Sequence, residues 1–482
     1  MIPESRIPFI YVDFDNSRAI NPGAAQAYNV LLIGQKGDAS PGTPLTPTLI
    51  RNEKDVTDLF GYGSMLHVMA KGYFANSPQA KTYAIAIDDP QGGIAAQWAV
   101  TLDGNFVSNA TLPLFIAGKR IEVSVTKDTT PAQALQSLAD SIMKDPSFPV
   151  VATLKDTSLI LTAKNKGVAA GSIDVRVELG RSRQPITGKL KIDHSQPGAG
   201  SVDLSSCLKK ISDKQFHLIV NPYTDSDNLN LLDQDLSDRF SASRQIEGQM
   251  IGAMGGDDGI LVDPTKTNIV HSKHITLLSS GKNSPTQNCV WAAALTSVIA
   301  NEGQADPARP FNTLPLYGCV PDEDGSRYER AARARLLQVG FSTCSIDFNG
   351  IPRVERLITT YLNANAPEDQ SYLSLNTLLT LSYLRFSFVN YFAAKYPRHK
   401  LADDGAIVQP GSAILTPKTA QCEAIALFLS WEEQGLVENF DQFKSDLIVE
   451  RNTKDRGRLD FFMSPRLISQ LNVIGAKISF LI

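Results

Sequence analysis

The chain has 482 residues, a length that suggests about three domains of ordinary size. Its composition, with 43% hydrophobic and 20% charged residues, excludes a wholly disordered chain. The net charge of −4 gives no overall electrostatic argument for nucleic acid or an anionic membrane as a partner.

The cysteine pattern and the N-terminus indicate the compartment. The five cysteines are few, odd in number and widely separated, which is typical of reduced thiols rather than of a disulfide framework. The opening MIPESRIPFI has Pro and Glu where a signal peptide needs a basic end and an apolar run. No apolar stretch is long and charge-free enough to span a bilayer. We therefore expect a soluble protein that is made in a cytoplasm.

Residues 1–22 are predicted to form an extended arm. Pro3 and Pro8 disfavour a helix, and apolar side chains alternate along the segment. The pair Pro22-Gly23 follows as a candidate hinge. The apolar residues expected to make the strand contacts of this arm are Ile7, Phe9, Tyr11, Val12 and Phe14.

Residues 23–92 are predicted to begin an α/β core. The runs NVLLIGQ and KTYAIAIDD are each typical of a buried strand. The sequence between them, residues 52–78, predicts two short helices. Strand, helix and strand in this order indicate an α/β unit.

Residues 93–203 are predicted to be an inserted β-rich domain. Most of the segment consists of short runs typical of strands, interrupted by one helix. Thr130 is the expected cap of that helix, with Pro131 in its first turn and an apolar face behind them. We interpret residues 193–206 as a linker that returns the chain to the core.

Residues 204–350 are predicted to resume the α/β core. One helix in this part is expected to be capped by Ser284, with Pro285 in its first turn. A second helix is expected to end at Gly340.

Residues 351–482 are predicted to form a C-terminal domain, which includes a helix capped by Thr416 with Pro417 after it. The fold class is therefore α/β: a mixed α+β core with an inserted β-rich domain and an extended segment at each end.

The sequence ends with a second pattern typical of a strand, NVIGAKISFLI. Because side chains alternate across a strand, five of its residues share one apolar face. They are Ile474, Ala476, Ile478, Phe480 and Ile482.

Two apolar strands, one near each end, favour a role in assembly. A free apolar strand is an aggregation hazard unless a partner uses it. An extended segment of one subunit can complete a sheet in its neighbour. If each subunit both gives and receives a strand, the contact is head-to-tail and propagates as rings or a helix. The alternative is that both segments pair inside their own subunit.

The usual catalytic signatures are absent from the sequence. Gly118-Lys119 and Gly281-Lys282 lack the other residues of a P-loop. We find no dinucleotide fingerprint, no nucleophile elbow and no HExxH motif. The sequence therefore predicts neither an enzyme nor a cofactor.

Two clusters are weak candidates for a metal site. His271 and His274, with Cys289 downstream, lack the paired spacing of zinc ligands and are interpreted as polar residues that enter a strand. Asp257 and Asp258 lie in a glycine-rich stretch that is interpreted as a turn between elements.

A third cluster of charged residues lies further along the chain. It is interpreted as a solvated loop and helix start, because nothing indicates a pocket that would shift a pKa. Its members are Asp322, Glu323, Asp324, Arg327 and Arg330.

The sequence resembles the phage Mu-like contractile tail sheath proteins in several blocks that occur in the family's order. IPFIYVDFDNSRA followed by NVLLIGQK resembles the start of these proteins, as does LFGYGSMLHVMAKGYFANSP followed by YAIAID. The ending resembles the sheath pattern of Arg-Asn, an Asp, Arg-Leu-Asp, a Pro and a last strand. The residues that match it are Arg451, Asn452, Asp455, Arg458, Leu459, Asp460 and Pro465.

The resemblance implies a structural subunit that polymerises with itself as stacked six-fold rings around an inner tail tube. It implies contraction that drives the tube through the host envelope, and terminal strands that link neighbouring subunits. The implied partners are other copies of the chain, the tail tube protein, and baseplate and tail terminator proteins, without nucleic acid, membrane or cofactor. The implied location is the tail sheath of a virion that is assembled in the host cytoplasm.

The resemblance also suggests an orientation and a hinge. The α/β core and the C-terminal domain are expected nearest the tube, with residues 93–203 projecting outward. The polar residues Arg451, Asn452, Asp455, Arg458 and Asp460 are expected to organise a turn or hinge before the last strand, or to bridge subunits.

Other functions stay open from the sequence. The chain could belong to a phage-like bacteriocin or to a type VI secretion system, although type VI sheaths are usually built from two chains. An α/β hydrolase or metal-dependent enzyme with a scattered site is a second class. A carbohydrate- or receptor-binding tail protein, based on the β-rich segment, is a third.

Overall fold

A computed structural model describes residues 26–362, 369–406, 409 and 411–480. Of these, Ala27–Leu378 form one compact unit, and the residues from Leu379 onward, with Gln26, form another. The candidate arm residues, Pro22, Gly23 and Ile482 lie outside the described residues. In the described part of the chain, no helix is long and apolar enough to cross a membrane.

Strands and helices are distributed over both units. The strands are β1 (Asn29–Gln35), β2 (Thr48–Ile50), β3 (Lys81–Ile87), β4 (Gln97–Asp103), β5 (Ala110–Ile116), β6 (Lys119–Val125), β7 (Val150–Lys155), β8 (Ser158–Ala163), β9 (Val175–Arg176), β10 (Lys189–Gln196), β11 (Leu218–Val220), β12 (Gln249–Met254), β13 (Ile275–Ser279), β14 (Phe341–Ile346), β15 (Pro352–Arg356), β16 (Lys400–Leu401), β17 (Ile414–Leu415), β18 (Val437–Glu438), β19 (Ile448–Arg451), β20 (Leu459–Phe462) and β21 (Arg466–Leu467). The helices are α1 (Glu53–Phe60), α2 (Met65–Phe74), α3 (Pro131–Met143), α4 (Ser205–Ile211), α5 (Ser226–Phe240), α6 (Asp258–Leu261), α7 (Asn288–Ala305), α8 (Arg330–Gln338), α9 (Leu375–Lys395), α10 (Pro417–Glu433) and α11 (Phe440–Asp446).

The first unit is built on an eight-stranded sheet in the order β15-β14-β13-β12-β11-β1-β3-β2. The inner strands run parallel, and only the edge strands β2 and β15 pair antiparallel. Strand β1 lies between β3 and β11 and is almost wholly buried. Continuous apolar runs are typical of strands covered on both faces of a parallel sheet. The expected mixed α/β architecture with several sheets is confirmed.

Helix α7 is the central helix of the first unit. It packs against α2, β11 and β12, and its buried residues lie all around its axis. The prediction that Ser284 caps this helix is wrong, since α7 begins at Asn288. Ser284 Oγ instead accepts a hydrogen bond from Trp291 Nε1 at 3.0 Å and donates one to the Val320 carbonyl at 2.8 Å. The hydroxyl is therefore used to fix a loop. The expected end of α8 at Gly340 is confirmed, because this residue follows the helix with φ of 95°.

Residues 93–203 contain two antiparallel sheets, β10-β4-β8-β7 and β6-β5-β9. Helix α3 packs on strands of both sheets, and Thr130 caps it in the predicted manner through a reciprocal capping box with Gln133. The interpretation of 193–206 as a linker is wrong at its start. Residues 193–196 end strand β10, which pairs with β4. The residues there are polar because the end of this strand is largely exposed.

A partly buried polar network attaches residues 93–203 to the large sheet. Asn165 Nδ2 donates to the Lys36 carbonyl at 2.7 Å, and its Oδ1 accepts from Met65 N at 2.9 Å. Asp89 accepts from Gln35 Nε2 at 2.6 Å and from Asn165 Nδ2 at 3.0 Å. The network lies at the carboxyl end of β1. It gives partners to groups that burial would otherwise leave unsatisfied.

The second unit is formed largely by α9 and α10. Trp431 Nε1 of α10 donates to Ser387 Oγ of α9 at 3.0 Å, and Tyr383 Oη donates to Gln434 Oε1 at 2.8 Å. Thr416 caps α10 and Pro417 occupies its first position, as predicted. Three two-stranded sheets, β16-β17, β18-β21 and β19-β20, complete the unit.

Replacing Asn165 by Ala tests the attachment network. The substitution leaves the buried Met65 N–H and the partly buried Lys36 carbonyl without this partner, so it is expected to lower the free energy of unfolding by about 2–3 kcal/mol. Urea unfolding monitored by tryptophan fluorescence measures the change. Asn109→Ala, at an exposed position in the same segment, is the matched control and is expected to change stability by less than about 0.5 kcal/mol. Equal effects of the two substitutions would contradict the attachment role.

Candidate assembly interface

The last described residues form an exposed apolar segment, which we call the linking segment and define as residues 471–480. All ten residues are exposed, and none belongs to a helix or strand. Ile474, Ile478 and Phe480 are 79%, 88% and 80% exposed. Ala476, the fourth described residue of the predicted strand face, is exposed as well. Among the described residues, this segment therefore has no strand partner within its own chain.

A two-stranded hairpin precedes the linking segment. Strands β19 and β20 pair antiparallel, with Ile448 opposite Phe462, Val449 opposite Phe461 and Arg451 opposite Leu459. Within the described residues, neither strand has a neighbour on its other side, so both outer edges of this C-terminal hairpin lack a ladder partner. Isolated two-stranded sheets are at best marginally stable, and unpaired edges are templates for a further strand.

The two faces of the C-terminal hairpin differ. Phe461 packs edge-on against Phe388 and Phe392 of α9, with ring centroids 5.3 and 5.1 Å away. Ile448 and Phe462 lie on the opposite face and are both more than half exposed. The hairpin is therefore anchored to α9 on one face and presents apolar surface on the other.

The turn of the C-terminal hairpin is held by the polar residues that the sequence singled out. Asn452 Oδ1 accepts from Lys454 N and Asp455 N, each at 2.9 Å. Asn452 Nδ2 donates to Asp460 Oδ2 at 2.6 Å, and Arg458 pairs with the other oxygen of that carboxylate. Hydrogen bonds from Asn452 and Arg458 lower the pKa of Asp460.

Arg451 extends this polar network away from the turn. Its Nε donates to the Arg456 carbonyl at 2.7 Å, and its Nη1 lies 2.9 Å from Asp403 Oδ1. These contacts are all within one subunit, and they show a structured turn between β19 and β20. Whether the same side chains also bridge subunits stays a prediction.

Glu423 of α10 braces the helix that supports the C-terminal hairpin. Its carboxylate accepts hydrogen bonds from Tyr391 Oη of α9 and, at 2.6 Å, from Tyr396 Oη just after that helix, and Lys395 Nζ lies 2.5 Å from it. Burial disfavours the charged carboxylate, but these three donors together outweigh burial and lower the pKa of Glu423. Sequence reasoning missed this site, because its members are far apart in the chain. A Tyr and a Lys at spacing i, i+4 on α9 were the available signal.

The carboxylates at 257 and 258 are engaged within the first unit. Asp257 caps the short helix α6, accepting from Gly259 N at 2.9 Å. Asp258 is buried between Lys282, whose Nζ lies 3.1 Å from Oδ1, and Arg335. The charge-assisted hydrogen bond from Arg335 lowers the pKa of Asp258. These side chains join α6, α8 and the loop after β13.

His271 and His274 do not form a metal centre with Cys289. His274 is wholly buried beside Phe240, and burial lowers its pKa to about 4. His271 Nδ1 lies 3.1 Å from the Thr360 carbonyl. Among the residues that the structure describes, no group of three His, Cys, Asp or Glu side chains is arranged to hold a metal ion.

The interpretation of the third charged cluster as fully solvated is wrong for Asp322. This carboxylate is buried, accepts from Lys282 N at 2.7 Å and Asn283 N at 3.0 Å, and lines a cleft of about 140 Å³. Burial raises its pKa, against the effect of the two amides. The adjacent residue Glu323 accepts a hydrogen bond from Gly180 N through its carboxylate. This loop therefore also attaches residues 93–203 to the rest of the first unit.

Two domain profiles and one relative identify the family of this chain. The profile of the phage tail sheath protein central domain matches residues 198–360, and that of the phage tail sheath C-terminal domain matches residues 367–480. The Mu-like prophage FluMu tail sheath protein of Haemophilus influenzae is 32% identical over 99% of this chain and 98% of its own length. The chain belongs to the phage tail sheath family. It is a tail sheath protein of a phage or phage-like contractile injection system.

A solved structure has the same fold. The crystal structure of the sheath tail protein from Desulfitobacterium hafniense aligns with a TM-score of 0.50 and 13% identity, covering 95% of this chain and 100% of that one. Proteins of the sheath family are structural proteins. In agreement with this, the buried carboxylates described above make ion pairs and contacts with loops. The tail sheath is a component of the phage particle.

The pH dependence of stability tests the brace at Glu423. Because its pKa is lowered in the folded state, its contribution is present above the usual Glu value of 4.5 and is lost as the pH falls through the lowered pKa. Glu423→Gln is expected to lower the thermal midpoint of the second unit at pH 7, because the neutral amide replaces the charged acceptor of these hydrogen bonds. The difference from the unsubstituted protein should shrink as the pH falls below 4.5.

Glu433→Gln is the matched control for this measurement. Glu433 lies on the same helix and is exposed, so its substitution should leave the midpoint nearly unchanged at every pH. A constant difference for Glu423→Gln between pH 7 and pH 3 would contradict a charge-dependent brace.

Proposed function

We propose that this sheath protein assembles by strand exchange, in which the linking segment of one subunit pairs with the C-terminal hairpin of a neighbour. The proposal rests on two structural features that occur together in this chain. One is an exposed apolar segment with no strand partner among the described residues. The other is a two-stranded hairpin whose outer edges have none. Addition of a strand supplies both with main-chain hydrogen bonds and buries Ile474, Ile478 and Phe480.

The same reasoning extends to the arm at residues 1–22. Its apolar residues Ile7, Phe9, Tyr11, Val12 and Phe14 would pair with a second neighbour, with Pro22-Gly23 as the hinge. Because each subunit then gives and receives strands through different surfaces, the contacts are head-to-tail and propagate without closing on a pair. Six-fold rings stacked into a helix are the assembly we propose.

In the contraction that we propose, the subunits move while the strand pairings between them stay intact. Residues between the paired strands and the compact units absorb the backbone changes, and the packed units move as bodies. We propose that the sheath surrounds a tail tube protein and ends at baseplate and terminator proteins. In this account the energy comes from rearranged subunit contacts, the subunit has no catalytic activity, and the sheath is assembled in the host cytoplasm.

The five-part division of the chain enters this account as a proposal. The α/β core, residues 23–92 and 204–350, and the C-terminal domain, residues 351–482, would lie nearest the tube, and residues 93–203 would project outward. The attachment by Asn165, Asp89 and Gln35 supports movement of residues 93–203 together with the large sheet. A phage tail is the main assignment, and a phage-like bacteriocin is the alternative built on the same subunit. A type VI sheath is disfavoured if this chain assembles alone.

Electron microscopy of a variant that ends at Asn472 tests strand exchange. The full chain is expected to form long hollow tubes, and the truncated chain is expected to remain monomeric. Residues 473–480 are exposed, so their removal should leave the fold of the subunit intact. Equal thermal midpoints of the two proteins would establish that the fold is intact. Tubes of equal length from both proteins would contradict the proposal.

A peptide of residues 472–482 sharpens the test. Labelled peptide is expected to bind the truncated subunit, measured by fluorescence anisotropy, because the receiving hairpin is then present without a competing segment. A peptide with Ile474→Asp and Ile478→Asp is the matched control and should not bind, since a carboxylate would be placed on the apolar face. Equal binding of both peptides would exclude a specific strand contact.

A further inference from the structure

The charged residues at the two ends of α10 are placed against its helix dipole. Glu432 and Glu433 lie in the last turn, which holds no basic residue, and Lys418 lies in the first turn, which holds no acidic residue. The N-terminal end of a helix carries a partial positive charge and the C-terminal end a partial negative charge, so both placements are unfavourable. The fold of the subunit gains nothing from them.

Further carboxylates lie beside the last turns of α10. Helix α11 packs there, because the ring of Phe443 stacks on that of Phe428 with centroids 4.0 Å apart. Glu438 pairs with Arg466 Nε at 3.0 Å, whereas the other carboxylates of this group make no ion pair with any residue that the structure describes. We call this group the acidic end and define it as Glu432, Glu433, Glu438 and Asp441.

Cations collect at the opposite end of the second unit, where α9 ends and α10 begins. Strands β16 and β17 pair immediately before α10, and the turn of the C-terminal hairpin lies against them through the contact of Arg451 with Asp403. A second carboxylate there, Asp404, accepts a hydrogen bond from Lys418 N at 2.9 Å. We call the exposed cations of this region the basic end and define it as Arg398, Lys400, Lys418, Lys454 and Arg456.

The two ends are too far apart to neutralise each other within one subunit. Helix α10 has 17 residues, which places its ends about 25 Å apart. Exposed charges act over only about 8–10 Å at physiological salt. A two-fold contact at either end would bring like charges together, because the same surface of both subunits meets. A head-to-tail contact instead sets the acidic end of one subunit against the basic end of the next.

We infer that the acidic end of one subunit docks on the basic end of a second copy of this chain, in a contact separate from the exchanged strands. Charge complementarity carries the inference, since one unit supplies both halves of the contact. The inference also rests on the proposed assembly into a sheath. Exposed ion pairs contribute little affinity each and are screened by salt, so the contact mainly fixes the direction and register of neighbouring subunits.

Charge reversal at each end tests this contact. Glu432→Lys with Glu433→Lys reverses the acidic end, and these substitutions agree with the helix dipole, so the thermal midpoint of the subunit should not fall. Arg398→Glu with Lys400→Glu and Lys418→Glu reverses the basic end. Each variant alone is expected to raise the critical concentration for tube formation about tenfold at low salt, because like charges then meet at every contact. Pelleting followed by negative-stain electron microscopy measures this concentration.

An equal mixture of the two full-length variants gives the sharpest result. Every reversed end can then meet an end of opposite charge on the other variant, so the mixture should assemble at close to the concentration of the unsubstituted chain. Raising sodium chloride from about 0.05 M to about 0.5 M should narrow the difference between the unsubstituted chain and either variant, because salt screens exposed charges.

A matched control reverses three exposed cations outside the second unit. Lys127→Glu with Lys144→Glu and Lys155→Glu should assemble at the normal concentration. Normal assembly of both end variants, or a mixture that assembles no better than its components, would overturn the inference. The proposed strand exchange would then stand, and the tube protein would be left as the partner of the charged ends. Failure of the unsubstituted chain to associate at any concentration would contradict the proposed assembly, and this contact with it.

Discussion

Backbone groups at the edge of a sheet require hydrogen-bond partners. Near the C-terminal end of the described residues, two segments have strand edges without a ladder partner. The linking segment offers an apolar strand, and the C-terminal hairpin offers two outer edges. Water can satisfy the polar groups, but it cannot satisfy side chains such as Ile478 and Phe480. A subunit of this kind is soluble as a monomer only at the cost of exposed apolar surface. In the strand exchange that we propose, pairing between subunits removes this cost, and assembly then depends on the same physics that forms sheets within a subunit.

Contacts within each unit of the described structure would support the pairing that we propose. The C-terminal hairpin rests on α9 through Phe461, and α9 is held to α10 by the carboxylate of Glu423 and by Trp431. Within the other unit, Asn165 and Asp89 hold residues 93–203 against the sheet. A contracting machine needs parts that do not deform while their contacts change. Buried hydrogen bonds and charge-assisted contacts supply this stiffness, because each would be expensive to break.

Much of this architecture could be predicted from the sequence, and the exceptions have physical causes. Apolar runs predicted the buried strands, and Thr130 and Thr416 predicted the starts of two helices. These signals depend only on residues that are close in the sequence. The prediction that Ser284 caps a helix is wrong because its hydroxyl accepts a hydrogen bond from Trp291, a contact that the local sequence pattern does not reveal. Residues 193–196 misled because an exposed strand carries little apolar periodicity. The strand order, the network around Asn165 and the brace at Glu423 depend on contacts between distant parts of the chain. At the candidate interface, alternation identified the apolar face of the linking segment, whereas the unpaired edges of the hairpin became visible only in the fold.

The most direct measurement is a cryo-electron microscopy map of tubes formed by the full-length chain, at a resolution that traces the backbone. The account predicts that residues 472–482 of one subunit lie as a strand against β19 or β20 of another, with Ile474, Ile478 and Phe480 buried at the contact. A map in which these residues fold back onto their own subunit, or stay exposed in the tube, would contradict the central claim.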